Sequence, residues 1–447
     1  MKKIMLIVLL TFAIVAKSQT TNQSYSLTLD QAIGLALTNN YSVINAGRDI
    51  ASAEQRKWET TAAGLPQINA GVDYGNNFVY TRQGVTGGGS FGGKAGDVST
   101  IAFGTKHSMN ARATLSQLLF DGSYLVAIQA SKTYLKYYQN AKQKTDVEVK
   151  EMVVNAYGNV LLAEESIGIL EKNKATLSKT LSDTQAIFKN GLIEEENVEQ
   201  LQITLSSINS ALNNTKRVLD VAAKMLKITV GIDINSDLKL TDKLDNLTVS
   251  NLDLAFSQKE FNVTESIYYQ MASNFQEQRS LELKLQKSKA LPSLSANVNF
   301  GYNAFSNQFT FFNGDQKWNN FSNLGVGLNV PIFSSLGRSA KTQQAKIAFE
   351  QAKTQLTETE QKLRLQYENA KSEYDFSIEE YATSESNLNL AERIEKKQQI
   401  KFGEGLSSSF DFSEAQRQLY TAQQNYLQSM VNIINKKAAL EKLINKK

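Results

Sequence analysis

Ala63-Gly64-Leu65-Pro66-Gln67-Ile68-Asn69-Ala70-Gly71-Val72-Asp73-Tyr74 decides the reading of this chain, because it is written twice. It returns as Ala290-Leu291-Pro292-Ser293-Leu294-Ser295-Ala296-Asn297-Val298-Asn299-Phe300. Each stretch leaves a helical segment through Leu-Pro and then alternates apolar and polar residues, the period of a strand with two different faces. Residues 67–79 put Ile68, Ala70, Val72 and Tyr74 on one face, and a return strand over 107–119 carries Met109, Ala111, Ala113 and Leu115. The second copy gives strands at 293–303 and 322–332, the latter with Leu324, Val326, Leu328, Val330 and Ile332 on one face. Residues 81–106 are expected to be loop, with the run Gly87 to Gly93 too flexible for regular structure, and an aromatic loop holds Phe305, Phe309, Phe311, Phe312 and Trp318.

Outward from each hairpin, the sequence turns helical. Thr28 to Ile33 opens a short helix with an N-cap signal, and a second helix runs from about Ser42 to Gly64. After the first hairpin, Val149, Val153, Ala156, Val160, Ala163, Ile167, Leu170, Leu177 and Leu181 follow a four-three spacing up to Phe188. A second stripe from Val198 to Leu226 returns after a turn at Gly191. Sustained heptads mean coiled-coil packing, and a helix of roughly 68 residues would reach about 100 Å. The second copy matches it, out over Leu336 to Lys401 and back over Phe412 to Ile433, with Tyr367, Tyr374 and Tyr381 expected at a wet interface. The expected partition is 1–19 signal peptide, 20–230 first repeat with its helical hairpin at 121–230, 231–251 linker, and 252–447 second repeat with its hairpin at 336–445. All three prolines, Pro66, Pro292 and Pro331, fall at helix–strand junctions, where a missing N–H does least harm.

Each strand is about ten residues long, enough for a tilted strand to cross a bilayer. Four such strands cannot close alone, and open edges cannot sit in lipid with N–H and C=O groups unpaired. The fold class expected is therefore mainly α with a membrane β-barrel part. Three copies would supply twelve strands, continuous with a long helical tunnel. A pair of soluble hairpins decorating a helical protein is the alternative, and it leaves the apolar faces unexplained.

Met1-Lys2-Lys3, an apolar run over Ile4 to Ala16 and the small-x-small pattern at Ala16-Lys17-Ser18 read as a secretory signal peptide. The absence of cysteine excludes disulfides, thiol–metal sites and a lipidated N-terminal cysteine, and the single histidine, His107, cannot build a cluster. A net charge of +4 over 447 residues gives no argument for nucleic acid. No carboxylate pair stands beside a histidine, cysteine or phosphate loop, so no enzyme activity, cofactor or metal is expected.

With these residues in hand, the chain resembles the TolC family of trimeric outer-membrane efflux proteins over nearly its whole length. The resemblance rests on the doubled helix–hairpin–long-helix order, the Leu-Pro leads and Leu118-Leu119-Phe120-Asp121-Gly122 against Pro331-Ile332-Phe333-Ser334. The Gly-Leu tips at Gly191-Leu192 and Gly405-Leu406 complete it. It implies a homotrimer in the outer-membrane lipid with its helical tunnel in the periplasm of a Gram-negative-type bacterium. It also implies that Gly191, Leu192, Gly405 and Leu406 dock a periplasmic adaptor, which links the duct to an inner-membrane transporter. The family narrows its inner aperture with acids after the second tip, which match Asp411 and Glu414 here, with Glu194, Glu195 and Glu196 at the first tip. Helix N-terminal acids favoured by the macrodipole are the plainer reading of the same residues. A family arginine that latches the aperture is Ser407 in this chain. The expected function is a passive export duct for small molecules in a tripartite efflux system. The alternatives are an exit duct for a secreted polypeptide and a surface coiled-coil protein of structural or adhesive type.

Overall fold

A computed structural model describes residues 24–87, 94, 96–253, 256 and 260–444. The expected signal peptide and Gly88 to Gly93 lie outside the described residues, as do 254 and 255 in Leu252 to Phe256, the stretch expected to echo the opening helix at Leu29 to Leu37. In chain order the elements are β1 (Ser24–Leu27), α1 (Leu29–Asn39), α2 (Tyr41–Ala62), β2 (Gln67–Asn76), β3 (Thr81–Thr86), β4 (Val98–Phe103) and β5 (His107–Asp121). There follow α3 (Gly122–Lys189), α4 (Glu195–Val230), β6 (Asp237–Leu240), α5 (Leu244–Asn251), α6 (Ile267–Ser288), β7 (Ser293–Ser306), β8 (Trp318–Asn329), α7 (Gly337–Gly403) and α8 (Ser409–Leu443).

The chain folds as two compact units that cut across the sequence repeats, each repeat contributing to both. One unit holds residues up to 50, 137–273 and from 355 onward, and it is helical. Its core is the pair of stripes read from the sequence. Val149, Val153, Leu170 and Leu177 of α3 are buried with Leu201, Leu212 and Leu226 of α4. Met430, Val431 and Ile434 of α8 join the first of these clusters, and Phe412 the second. Thr28 caps α1 through a reciprocal capping box with Gln31, as its N-cap signal predicts. The segment read as linker, 231–251, is more ordered than expected. β6 pairs in parallel with β1, and α5 follows it. The fully buried Tyr157 of α3 fixes this sheet by donating to the Leu27 carbonyl at 3.0 Å. The Asp242 carboxylate lies 3.0 Å from the same hydroxyl.

The tyrosines of α7 also depart from expectation. Tyr374 is fully buried and donates to the Asn251 carbonyl at 2.6 Å, while Tyr367 stacks on Phe261 with ring centroids 4.4 Å apart. Tyr374 serves as a core residue with a satisfied hydroxyl, and Tyr367 as a buried stacking partner, rather than as parts of a wet seam.

The second unit, 51–136 and 274–354, is built on a four-stranded antiparallel sheet in the order β2-β5-β7-β8. Strand limits shift from those expected. β2 stops at Asn76, β5 runs on to Asp121 and β7 to Ser306, while β8 occupies Trp318–Asn329 rather than 322–332. Trp318 therefore belongs to a strand instead of the aromatic loop. Pro331 lies past the end of β8, as a residue without an N–H must if the ladder is to stay whole. The expected loop at 81–106 contains a separate antiparallel hairpin, β3 with β4.

Candidate functional site

Register turns the sheet into a wall with two unlike faces. Residues opposite one another across antiparallel strands share a face. Ile68, Val72 and Tyr74 of β2 stand opposite Leu115, Ala111 and Met109 of β5. Those stand opposite Val298, Tyr302 and Ala304 of β7, and Val298 stands opposite Leu324 of β8. This face is mainly apolar across the four strands; Gln117 on β5 and Ser322 and Asn320 on β8 interrupt it, and Asn76, His107 and Ser306 close one end. The other face carries Asn69, Thr114, Asn299 and Asn323 in one row, and Gln67, Ser116, Asn297 and Gly325 in the next. The apolar face is uncovered in the single chain, with Ile68 75% and Leu324 70% exposed. At one end of it the rings of Tyr74, Phe309, Phe311 and Trp318 pack edge to face, and His107 bonds the Tyr74 hydroxyl at 2.8 Å. The outer edges of β2 and β8 carry no strand partner among the described residues.

The helical unit presents two turns built alike. At the end of α3, Gly191 has φ +73°, its N–H donates to Phe188 O at 2.8 Å, and Leu192 N–H reaches back to Ile187 O at 3.3 Å. At the end of α7, Gly405 has φ +71°, with Gly405 N–H to Phe402 O at 3.1 Å and Leu406 N–H to Lys401 O at 2.8 Å. This is the paired-bond helix terminus that needs a left-handed residue, which explains glycine at both places. Open space surrounds both Cα atoms, so the demand is on backbone conformation and not on room. Such turns commonly fold the residue after glycine back onto the helix. Here Leu192 and Leu406 stay 74% and 78% exposed. A cleft of about 920 Å³ lies between the two turns, lined among others by Thr180, Asn197, Phe402, Leu406 and Asp411. Asn197 Oδ1 accepts from Ser409 N–H at 3.2 Å and so ties the start of α4 to the start of α8.

The structure places the expected acids as follows. Glu194 is the N-cap position of α4 without a side-chain bond, and Glu195 and Glu196 fill the first turn; all three are exposed. Asp411 closes a capping box with Ser408, whose hydroxyl donates to Asp411 Oδ2 at 2.8 Å. That bond and the Ser408 N–H hold its carboxyl below the usual carboxylate range. Glu414 stands one turn on. Arg417 grips it with Nη2–Oε1 at 2.6 Å and Nε–Oε2 at 2.9 Å, and Gln418 adds a bond at 2.9 Å. These bonds, Arg417 first, lower its pKa as well. Sequence reasoning missed Arg417, although its spacing of three residues from Glu414 was the available signal. Ser407 donates to Gln398 Oε1 at 3.0 Å. Pro66, Pro292 and Pro331 each lie just outside a strand. Among the described residues no three His, Asp or Glu side chains gather where they could hold a metal ion.

The family model described as "Outer membrane efflux protein" matches residues 32–231 and 270–446. Outer membrane protein TolC of Vibrio cholerae is 20% identical over 327 residues, covering 71% of this chain and 72% of the relative. Among solved structures, CusC superposes with a TM-score of 0.75 at 16% identity, covering 93% of this chain and 91% of its own. The CmeC outer membrane channel of Campylobacter jejuni gives 0.72 at 18% identity, with 96% and 90% covered. At such identities these likenesses speak for the fold.

Proposed function

The chain belongs to the outer membrane efflux protein family, one of channels rather than enzymes, and we propose that three copies close a single twelve-stranded barrel that serves as the exit duct of a tripartite pump. The observation that carries this is the open four-stranded sheet, apolar on one face, polar on the other and bare at both edges. In lipid each unpaired backbone group costs several kcal/mol, so the edges must meet other edges. β2 and β8 run antiparallel, and β8 of one copy can therefore extend the ladder onto β2 of the next. Four strands in each of three copies give twelve, an even number as such barrels require. The apolar face then meets outer-membrane lipid and the polar face lines the water-filled lumen. The helical hairpins form the periplasmic part of the duct, each sequence repeat contributing one hairpin.

The cargo is a small molecule, moved by energy from an inner-membrane transporter through a periplasmic adaptor. Gly191-Leu192 and Gly405-Leu406 are the adaptor's docking tips, a reading supported by two leucines held out in water by turns of the same geometry. Asp411, Glu414 and Glu194 to Glu196 are the aperture acids. Because Arg417 compensates Glu414, Asp411 is the less compensated acid of the two.

The absence of native cysteine makes the closing test clean. Cysteines introduced at Val72 on one edge strand and at Leu324 or Val326 on the other should, on oxidation, give covalent species that end at three chains. A ladder without inter-chain bonds, from protein that is monomeric and water-soluble, overturns the duct. In planar bilayers, Asp411→Asn and Glu414→Gln should each weaken block by multivalent cations, the first by removing an acid and the second by leaving Arg417 uncompensated. Equal block in both variants and the native channel would remove these acids from the aperture.

A further inference from the structure

The polar face of the sheet holds almost no ionisable groups. Across strands 67–76, 107–121, 293–306 and 318–329, asparagine is its commonest residue, and serine, glycine and threonine fill most of the rest. Up to the irregularity near Leu118, one acid and one base interrupt it, and they face each other: Arg112 Nη2 lies 3.5 Å from Asp73 Oδ2. A second acid, Asp121, ends β5 beyond that irregularity and accepts from the Ser123 N–H at 2.6 Å at the start of α3. The register explains how they meet. Asp73 stands opposite Asn110, two residues along β5 from Arg112, so the pair is diagonal. Directly opposite Arg112 are Gly71 on one side and Gly301 on the other. With no side chain on either neighbour, the guanidinium is free to lean toward the acid. Gly301 could not take a Cβ in any case, since the Ala111 carbonyl and the Phe321 ring lie 2.5 and 2.8 Å from where it would be. Both members of the pair stay more than half exposed, so they face solvent rather than a core. An exposed pair of this kind adds little to stability; its effect is on the field in the passage.

We infer that the barrel wall is an amide-lined, electrically balanced passage, in which Asp73 and Arg112 cancel one another so that cargo of either charge, or none, passes by size and hydrogen bonding alone. This rests on the three-copy barrel proposed above. Rings of uncompensated charge inside a narrow pore select ions by sign, and low-dielectric walls focus the field they produce. Three copies of a balanced pair produce neither effect, whereas three copies of either member alone would. Arg112 and Asp73 are therefore the residues on which charge indifference in this segment depends.

Reversal potentials of the purified trimer in a KCl gradient at low ionic strength provide the test, made in an Asp411→Asn background to reduce the charge at the tip. Arg112→Gln should raise the cation-to-anion permeability ratio by at least about twofold, and Asp73→Asn should lower it by a similar factor. The double variant should return to the parent value, a sign reversal and restoration that a merely structural role would not give. If the channels conduct and both single variants keep the parent ratio, or shift it in the same direction, the balanced-wall inference falls while the duct stands. If folded trimers of the parent protein carry no current at all, the duct reading itself falls.

Discussion

Leu324→Lys is expected to remove assembled barrels from the outer membrane, whereas Asn323→Lys, one residue away on the same strand, leaves them in place. The two positions are chemically ordinary and equally distant from any helix; they differ in the face they occupy. Leu324 stands opposite Val298 on the apolar side and is 70% exposed in the single chain, while Asn323 stands opposite Asn299 on the polar side. A lysine facing lipid near the middle of a barrel strand costs about 2–4 kcal/mol. Threefold symmetry repeats that cost in each copy, giving roughly 6–12 kcal/mol if the sites are independent, comparable with the ~5–15 kcal/mol that holds a typical native protein together. A lysine in a water-filled lumen keeps its hydration. The measurement is the amount of trimer recovered from outer-membrane fractions on native gels. Equal recovery of both variants would mean that the apolar face does not meet lipid, and the assignment of inside and outside would be reversed or void.

The same contrast shows what the sequence could and could not disclose. Period-two alternation in residues 67–76 and 293–306 is a local property, and it was legible at once. Agreement of all four strands on one apolar face is not local. It depends on register, which the connections between strands fix and which alternation alone leaves free by one residue. The start of β8 was hidden because Trp318-Asn319-Asn320 reads as loop by composition, yet each of its residues pairs with β7. β3 and β4 were hidden for a related reason. Their ribbon buries little, so its pattern of Thr, Gln, Gly and Ser carries no hydrophobic period. In the helical unit the heptad stripes predicted the core, because burial there obeys the helix period. Tyr367 and Tyr374 of α7 were misread, since a tyrosine whose ring stacks or whose hydroxyl finds a carbonyl, as Tyr374 finds Asn251, can be buried as readily as leucine. At the tips, glycine followed by leucine was visible in both copies. The pairing of Glu414 with Arg417 was equally present in the spacing and went unread, which overstated the acidity of the second tip.

Leu406→Glu should abolish efflux while leaving folded trimers at normal abundance. The side chain is 78% exposed, and its backbone N–H already closes the turn onto Lys401 O at 2.8 Å, so the substitution removes apolar surface without touching the fold. Stability should stay within about 0.5 kcal/mol of the parent, as for other exposed positions. If the leucine anchors an adaptor, its loss should cost about 2 kcal/mol of docking energy, typical of a buried apolar anchor at an interface. That is roughly a thirtyfold loss of affinity, and the matching change at Leu192 should compound it because the two turns share one geometry. Gly405→Val makes a useful contrast. It forces a β-branched residue into φ +71°, at a cost of about 1–2 kcal/mol or more, and so perturbs the turn itself. Accumulation of a fluorescent efflux substrate in cells, read beside trimer abundance in the same membranes, separates the outcomes. Cells carrying both leucine substitutions and exporting normally would show that the tips dock nothing. Their exposed side chains would then be no more than the outward ends of two well-made turns.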